Sequence, residues 1–250
     1  MSISQPIRLY VEQPQIPDDE TAASCAWMQG ADALVLDPAD CTPRRFESMP
    51  VERAILLNGD PTREASWREQ SCDWVCGRGL EETARLRDLQ PRLHWIPRLN
   101  VTRAQVSYRF SGPAVGEGFS FYIPDPAAIK GWQVAGVSIE DVLDRVTALG
   151  FDDLWLNSPK AASRGKGLDL DLLEKTERGD LAVWLSGGVG DAGHLRNLAR
   201  VGGASAVIVD AAVAQACSLA TLSEALVAEP PRPEAVPMTF TPRKVDQEAP

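Results

Sequence analysis

Eight short apolar runs alternate with more polar stretches along most of the chain. Short apolar runs are typical of buried β-strands, and apolar positions three or four apart are typical of amphipathic helices. The predicted strands cover 7–12, 33–37, 53–58, 73–76, 93–99, 153–156, 182–185 and 206–209. The amphipathic or charged stretches that follow them cover 19–30, 62–70, 81–89, 138–149, a segment from about 168, 191–200 and 218–228.

This alternation predicts an α/β fold. Short strands that are almost wholly apolar are typical of a parallel sheet buried on both faces, and eight strand–helix units suit a (βα)8 TIM barrel. A doubly wound open sheet is the alternative, because alternation alone does not prove that the sheet closes. Proline removes a backbone donor, so Pro97 weakens the prediction for the fifth strand.

The alternation of apolar and polar stretches is interrupted once, at residues 105–123, and ends after residue 228. Two alternating stretches, 105–110 and 119–123, flank the glycine-rich segment 111–116, which predicts an extra β-hairpin in the loop between the fifth strand and the fifth helix (the β5–α5 loop). The barrel is predicted over residues 1–228. Residues 229–250 are rich in proline and polar residues and lack periodicity, which predicts a disordered or loosely docked tail.

Composition and charge narrow the function classes. The 250 residues carry a formal net charge of −10, which argues against nucleic acid as a partner. No apolar run approaches the roughly 20 residues of a membrane helix, so no membrane partner is expected. Five scattered cysteines and the absence of an export signal indicate free thiols and a cytoplasmic protein. Neither a metal nor an organic cofactor is expected.

Three strand ends carry glycines, and these are the first candidates for chemistry. In a parallel barrel the ligand lies at the carboxyl ends of the strands. Glycine lets the backbone approach a ligand closely, and a following helix adds a positive dipole, so phosphate is the expected ligand. An ordinary strand–helix turn that needs small residues is the other interpretation. The three loops are 58–60, 77–79 and 186–190.

Charged residues near these strand ends form a second group of candidates. Asp37 follows the second strand and is a candidate carboxylate. His94 and His194 are expected to be structural. Several basic residues could bind an anion or could simply be solvated loop charges: Arg98, Arg103, Arg109, Lys130, Lys160, Arg164 and Lys166.

The second half of the chain resembles a known family. The segments that carry this likeness are 129–133 (IKGWQ), 138–150, 153–156, 167–173 (GLDLDLL) and 183–189 (VWLSGGV). They resemble the phosphoribosylformimino-aminoimidazole carboxamide ribotide isomerase of histidine biosynthesis and its relative, the cyclase subunit of imidazole glycerol phosphate synthase. The clear resemblance covers about residues 128–226.

The resemblance implies a barrel of two similar halves and a substrate with one phosphate held by each half. The tryptophan of the family's mobile loop, which stacks on the substrate, would be Trp132. The residues implied for the C-terminal phosphate are Ser186, Gly187, Gly188, Asp210 and Ala211. Those implied for the other phosphate are Gly59, Gly77 and Arg78.

The chain departs from the family at the catalytic positions. The family's Amadori rearrangement uses aspartates on strands one and five as general acid and base. This chain has Glu12 on strand one and Asn100 on strand five, and an amide cannot transfer protons as a carboxylate does. Asp37, or a water held by Asn100, would have to supply the second group. Asp210 also places a carboxylate beside the implied phosphate.

Three functions follow as alternatives. The first is a divergent barrel that binds a phosphorylated sugar or nucleotide-like metabolite, with aldose–ketose isomerase chemistry, formally an intramolecular oxidoreduction. The second is a related enzyme of another pathway, such as one-carbon (methanopterin-type) cofactor metabolism. The third is a non-catalytic binding or assembly protein, with the hairpin 105–123 or the C-terminal tail as its partner surface and an exposed aromatic patch that includes Phe121 and Tyr122.

Overall fold

The fold is taken from a computed structural model of the chain. It describes residues 6–13, 26–58, 74–109, 115–124, 136–176 and 181–227. The expected tail, 229–250, and most of the helix predicted over 19–30 lie outside these residues. Among the helices described, none is both long and apolar enough to span a bilayer.

Eight parallel strands are hydrogen-bonded in a closed ring. Each is short and mostly apolar, so both faces of the sheet can be buried. The closed order favours the barrel over the doubly wound open sheet. The strands are β1 (Arg8–Gln13), β2 (Ala33–Leu36), β3 (Ala54–Leu57), β4 (Trp74–Arg78), β5 (His94–Asn100), β9 (Asp153–Asn157), β10 (Ala182–Ser186) and β11 (Ala206–Asp210), and the ring order is β1-β11-β10-β9-β5-β4-β3-β2.

Alternate residues of these strands point into the barrel and fill it. Tyr10, Trp155 and Trp184 are fully or almost fully buried there, and the rings of Tyr10 and Trp184 meet edge to face with their centroids 5.0 Å apart. The Trp184 indole N–H donates to Asp153 Oδ1 at 2.9 Å, which satisfies its only donor. The inner cluster is Tyr10, Ala33, Val35, Ile55, Leu57, Ile96, Trp155, Trp184, Ala206 and Ile208.

The opposite faces of the strands pack against helices. The helices described are α1 (Pro43–Phe46), α2 (Leu80–Leu89), α3 (Ile139–Ala148), α4 (Pro159–Arg164), α5 (Asp171–Thr176), α6 (Ala192–Val201), α7 (Ala211–Cys217) and α8 (Leu219–Val227), with a 3-10 turn at Ala26–Met28.

The start of α3 shows how local sequence fixes a boundary. Ser138 Oγ accepts the backbone N–H of Asp141 at 3.1 Å and donates to the Asp141 carboxylate at 2.8 Å, as the spacing of the two residues predicts. The helix then buries Ile139, Val142, Leu143 and Val146 along one face.

A three-stranded antiparallel sheet follows β5. It consists of β6 (Thr102–Arg109), β7 (Val115–Pro124) and β8 (Gly136–Ser138), with β7 in the middle. The segment is therefore more than the single hairpin expected from the sequence. Phe121 is 2% exposed and belongs to the hydrophobic core, so it is not part of an exposed aromatic patch as expected, and Tyr122 is half-buried.

Candidate functional site

The carboxyl ends of the eight parallel strands meet at one end of the barrel, here called the mouth. Strand alternation decides which side chains face it. Tyr10 and Ile96 point into the barrel, so the residues two positions further along β1 and β5, Glu12 and Arg98, also face inwards at the mouth. The same alternation assigns the inner face to Asn100, Asn157, Ser186 and Asp210.

Glu12 and Arg98 form an ion pair across the mouth. The two strands that carry them, β1 and β5, are opposite each other in the ring. Arg98 Nη2 nevertheless lies 3.3 Å from Glu12 Oε1, and the side chains are only 27% and 19% exposed. The pair therefore places a carboxylate and a guanidinium over the centre of the barrel.

The surroundings of Glu12 shift its proton affinity. Burial raises the pKa of the Glu12 carboxyl above its ordinary value, and Arg98 opposes this shift without cancelling it. The Asp210 carboxylate, on the register neighbour of Glu12 in β11, raises the pKa further. A carboxyl with a raised pKa holds its proton at a higher pH than an ordinary carboxyl does, which suits it to transfer protons.

Arg98 is held on its other side by an aromatic ring. Its guanidinium carbon lies 4.3 Å from the centre of the Trp155 ring, and Trp155 is its register neighbour on β9. Such a contact stabilises the cation and restricts its orientation. The guanidinium is therefore fixed between Glu12 and Trp155.

A chain of hydrogen bonds joins β9, β10 and β5 beside this pair. The Trp155 indole N–H donates to Ser186 Oγ at 2.7 Å, and Ser186 Oγ donates to Asn157 Oδ1 at 2.8 Å. Asn157 Nδ2 then donates to Asn100 Oδ1 at 2.8 Å. Asn100 is exposed at the mouth, where it presents an amide and not a carboxylate.

The turn after β10 requires its glycines. Gly187 and Gly188 have φ angles of +91° and +95°. A Cβ on Gly187 would lie 2.5 Å from the carbonyl oxygen of Ser158, and one on Gly188 would lie 2.2 Å from that of Gly167. The Gly167 N–H donates to the Gly188 carbonyl at 2.8 Å. Packing between two loops thus accounts for both glycines, and it joins this turn to the loop after β9.

Asp37 is held within its own turn. Asp37 Oδ1 accepts the backbone N–H of Ala39 at 2.9 Å, and Oδ2 accepts from Asn58 Nδ2 at 3.4 Å. These contacts are those of a turn-forming aspartate. The structure therefore gives Asp37 a local role at the end of β2.

The remaining phosphate candidates are distributed over three strands. A Cβ on Gly77 would lie 2.1 Å from Thr83 Oγ1, so this glycine allows α2 to pack on β4. Asp210 is exposed at the end of β11, and Ala211 begins α7. Gly59 and Trp132 lie outside the described residues, as does the side chain of Arg78.

Neither histidine lies among the residues that meet at the mouth. His94 Nε2 lies 2.7 Å from Asp153 Oδ2, and both residues stand at the amino ends of their strands. His194 Nδ1 accepts the backbone N–H of Gly190 at 2.9 Å and so stabilises the turn before α6. Within the described part of the chain, no cluster of three potential metal ligands occurs.

Four of the basic candidates line one cavity, and neither Glu12 nor Arg98 is among its lining residues. A cavity of about 500 Å³ beside α4 is lined by Arg103, Lys160, Arg164 and Lys166, together with Ala161, Gly167, Leu168 and Asp169. The side chain of Arg109 and all of Lys130 lie outside the described residues.

The sequence did not single out the partner of Glu12. Arg98 was one of several basic candidates, and only the closed ring shows that it lies opposite Glu12. Asn157 and its hydrogen bonds were also missed. Strand alternation predicts that Arg98 and Asn157 both face into the barrel, once one inward-facing residue of each strand is known.

Comparison with family profiles gives a partial match. Residues 118–216 match the profile of the family described as "Histidine biosynthesis protein", which is less than half of the chain. The match includes β9, β10, β11 and the glycine turn. No curated protein matches the chain.

Proposed function

We propose that the chain is a relative of the isomerase and cyclase of histidine biosynthesis, and that it binds a phosphorylated sugar or nucleotide-like metabolite at the mouth of a (βα)8 barrel. The match of residues 118–216 to the histidine biosynthesis profile supports this relationship. The ligand's phosphates would be held where the family resemblance implies them. One would lie near Gly187, Gly188 and the start of α7, and the other near Gly59, Gly77 and Arg78.

The observation that carries this proposal is the Glu12–Arg98 pair. A partly buried ion pair contributes little to stability, because desolvation of the charges offsets their attraction. Its place at the carboxyl ends of opposite strands is where barrels hold ligands. A guanidinium is also well shaped to bind phosphate or carboxylate oxygens. We therefore assign Arg98 to anion binding.

Glu12 would be the proton-transfer group of the reaction. An anionic ligand that takes Arg98 removes the main influence lowering the pKa of Glu12, so the carboxyl would hold its proton more firmly. In an aldose–ketose rearrangement it could then protonate the ring oxygen of the sugar and later accept a proton from carbon. Asn100 stands at the end of β5 where the family has its second carboxylate, so a water on Asn100 would have to complete the pair.

A binding protein without turnover is the second candidate. Asn100 accepts a hydrogen bond from Asn157 in place of the second carboxylate. An enzyme with another substrate on the same scaffold is the third, because fold does not fix the reaction.

Binding and turnover can be tested separately. Ribose 5-phosphate, with ribose as the uncharged comparison, should bind to the purified chain in calorimetry. Arg98→Met should weaken the binding of ribose 5-phosphate by about tenfold or more, because it removes a charged donor. Glu224→Gln, on the exposed side of α8, is the control and should bind as the wild type does. A folded wild-type protein that binds ribose 5-phosphate no better than ribose would refute the proposal.

Turnover tests the role of Glu12. The family's aminoaldose substrate would be supplied and its conversion followed with the cyclase as coupling enzyme. Loss of a general acid or base reduces turnover by about 100-fold or more, so Glu12→Gln should do so while still binding ribose 5-phosphate. Binding without turnover in the wild type would support the second or third candidate.

A further inference from the structure

We infer that the cavity beside α4, whose wall adjoins the glycine turn through Gly167, is an anion-binding site distinct from the Glu12–Arg98 pair, and that it takes a small molecule with two or more negative charges. The basic residues Lys160, Arg164 and Lys166 line it. Neither Glu12 nor Arg98 is among its lining residues, nor are Gly187, Gly188, Asp210 and Ala211.

Local sequence explains why these three basic residues share one cavity. Ser158 accepts the backbone N–H of Ala161 and begins α4, and Pro159 occupies its first turn. Gly165, with φ +57°, ends the helix after only six residues. The chain turns back there, so that Arg164 and Lys166 line the same space as Lys160.

The acidic residue of the cavity lining, Asp169, is engaged by neighbouring side chains. Ser158 Oγ donates to Asp169 Oδ2 at 2.6 Å. Arg103 Nη1 lies 3.6 Å from Asp169 Oδ1, and its Nη2 lies 2.7 Å from Asp171 Oδ2. Arg103 is thus shared by Asp169 and Asp171, and Asp169 is engaged by both Ser158 and Arg103.

The three other basic side chains leave an excess of positive charge. None of Lys160, Arg164 and Lys166 forms an ion pair with any residue in the described ranges. The chain as a whole has a net charge of −10, so three such cations around one cavity run against its general charge. Like charges held together repel, and an anion between them would relieve this repulsion.

Volume and charge together indicate the class of ligand. A volume of about 500 Å³ falls within the roughly 300–1,000 Å³ of small-molecule sites and exceeds what a single phosphate needs. Three cations around it match a group such as a diphosphate or a polycarboxylate. This anion could be the far end of the ligand bound at the mouth, or a separate effector.

The test uses pyrophosphate and citrate as probes, measured by calorimetry on the full chain. The triple variant Lys160→Gln, Arg164→Gln, Lys166→Gln should bind the better of the two probes at least about tenfold more weakly. The control triple variant Arg85→Gln, Arg92→Gln, Arg200→Gln removes the same charge from exposed helix and loop positions and should bind within about threefold of the wild type. Circular dichroism and thermal unfolding verify that both variants are folded.

Two results would overturn the inference. One is equal binding by the wild type and the cavity variant, and the other is an equal loss in both triple variants, which would indicate general charge attraction only. The loss of pyrophosphate or citrate affinity in the cavity variant should be as large in an Arg98→Met background as in the wild-type background, so failure of this site and failure of the proposed mouth site are distinguishable. Competition by ribose 5-phosphate would identify the anion as part of the mouth ligand, and simultaneous binding would identify a separate effector; either result supports the site.

Discussion

Glu12 combines two properties that seldom occur together at the surface of a protein. It forms an ion pair with Arg98, yet burial keeps its pKa above the ordinary value. The desolvation of the carboxylate therefore outweighs the attraction of the guanidinium. This balance makes Glu12 responsive to whatever occupies the mouth, because small changes in either influence shift its protonation.

The raised pKa of Glu12 predicts a pH effect on stability. The folded chain binds the Glu12 proton more tightly than the unfolded chain, so this group's contribution is lost as the pH rises from about 4 through the folded-state pKa. Glu12→Gln cannot ionise. The free energy of unfolding of this variant minus that of the wild type should therefore increase with pH over that window and then level off.

Urea unfolding of the two proteins at a series of pH values measures this difference. A Glu12→Gln difference that stays constant, or that decreases as the pH rises, would contradict the raised pKa.

Substitution of a glycine after β10 should lower the free energy of unfolding for two reasons, backbone strain and a steric clash, and a second glycine separates them. Gly188→Ala would have to adopt a positive φ and would place its Cβ 2.2 Å from a backbone oxygen. Gly202 also has a positive φ, +73°, but nothing lies within 4 Å of a Cβ there. Gly202→Ala should cost about 1–3 kcal/mol, because its backbone (φ +73°, ψ −164°) lies in a region essentially restricted to glycine. Gly188→Ala should cost more than this, since main chain must also move.

Denaturant unfolding of both alanine variants tests this expectation. Equal losses of stability in the two would show that the contact with Gly167 is easily relieved, which would contradict the close loop packing described here.

At the residue scale, the sequence indicated which residues lie at the strand ends better than it indicated which side chains they contact. Glu12 and Asn100 were indicated by the family resemblance, at the ends of the first and fifth predicted strands. The Glu12–Arg98 contact does not, because residues on strands one and five meet only when the sheet closes. Asp37 has the same sequence signature as Glu12, a carboxylate at a strand end, and only the structure shows that its oxygens are engaged by Ala39 and Asn58.

The elements differ in how much local signal they carry. α3 was predictable because it has a serine cap and a one-sided apolar pattern. α7 was missed because its sequence, Ala211–Cys217, is nearly all small and apolar and has no helical period. α4 was missed because it is too short for periodicity, although Ser158, Pro159 and Gly165 mark both of its ends. Pro97 did not prevent a strand, and it pairs in register with Gly77.

The cap of α3 gives a prediction at this scale. Ser138→Ala removes the acceptor for the Asp141 N–H and should lower the stability of the protein by about 1 kcal/mol. Ser223→Ala, within α8, should change it little, since alanine favours a helix interior. Thermal or urea unfolding of the two variants checks this, and equal effects would argue against the cap.

At the scale of the whole molecule, closure of the sheet could not be predicted from local sequence patterns. Eight alternating units fit an open sheet as well, and closure depends on the pairing of β1 with β11, whose residues are almost 200 positions apart along the chain. The family resemblance supplied that expectation in advance. It did not supply the third strand of the antiparallel sheet or the cavity beside α4.

The filled interior of the barrel determines how a ligand can enter and leave. In the part of the chain described, Tyr10, Trp155 and Trp184 occupy the space between the two ends of the ring, so the barrel offers no passage along its axis. A molecule that reaches the Glu12–Arg98 pair must depart through the same opening by which it arrived. Substrate and product would therefore use the same opening of the barrel. Accumulated product would then act as a competitive inhibitor of substrate binding.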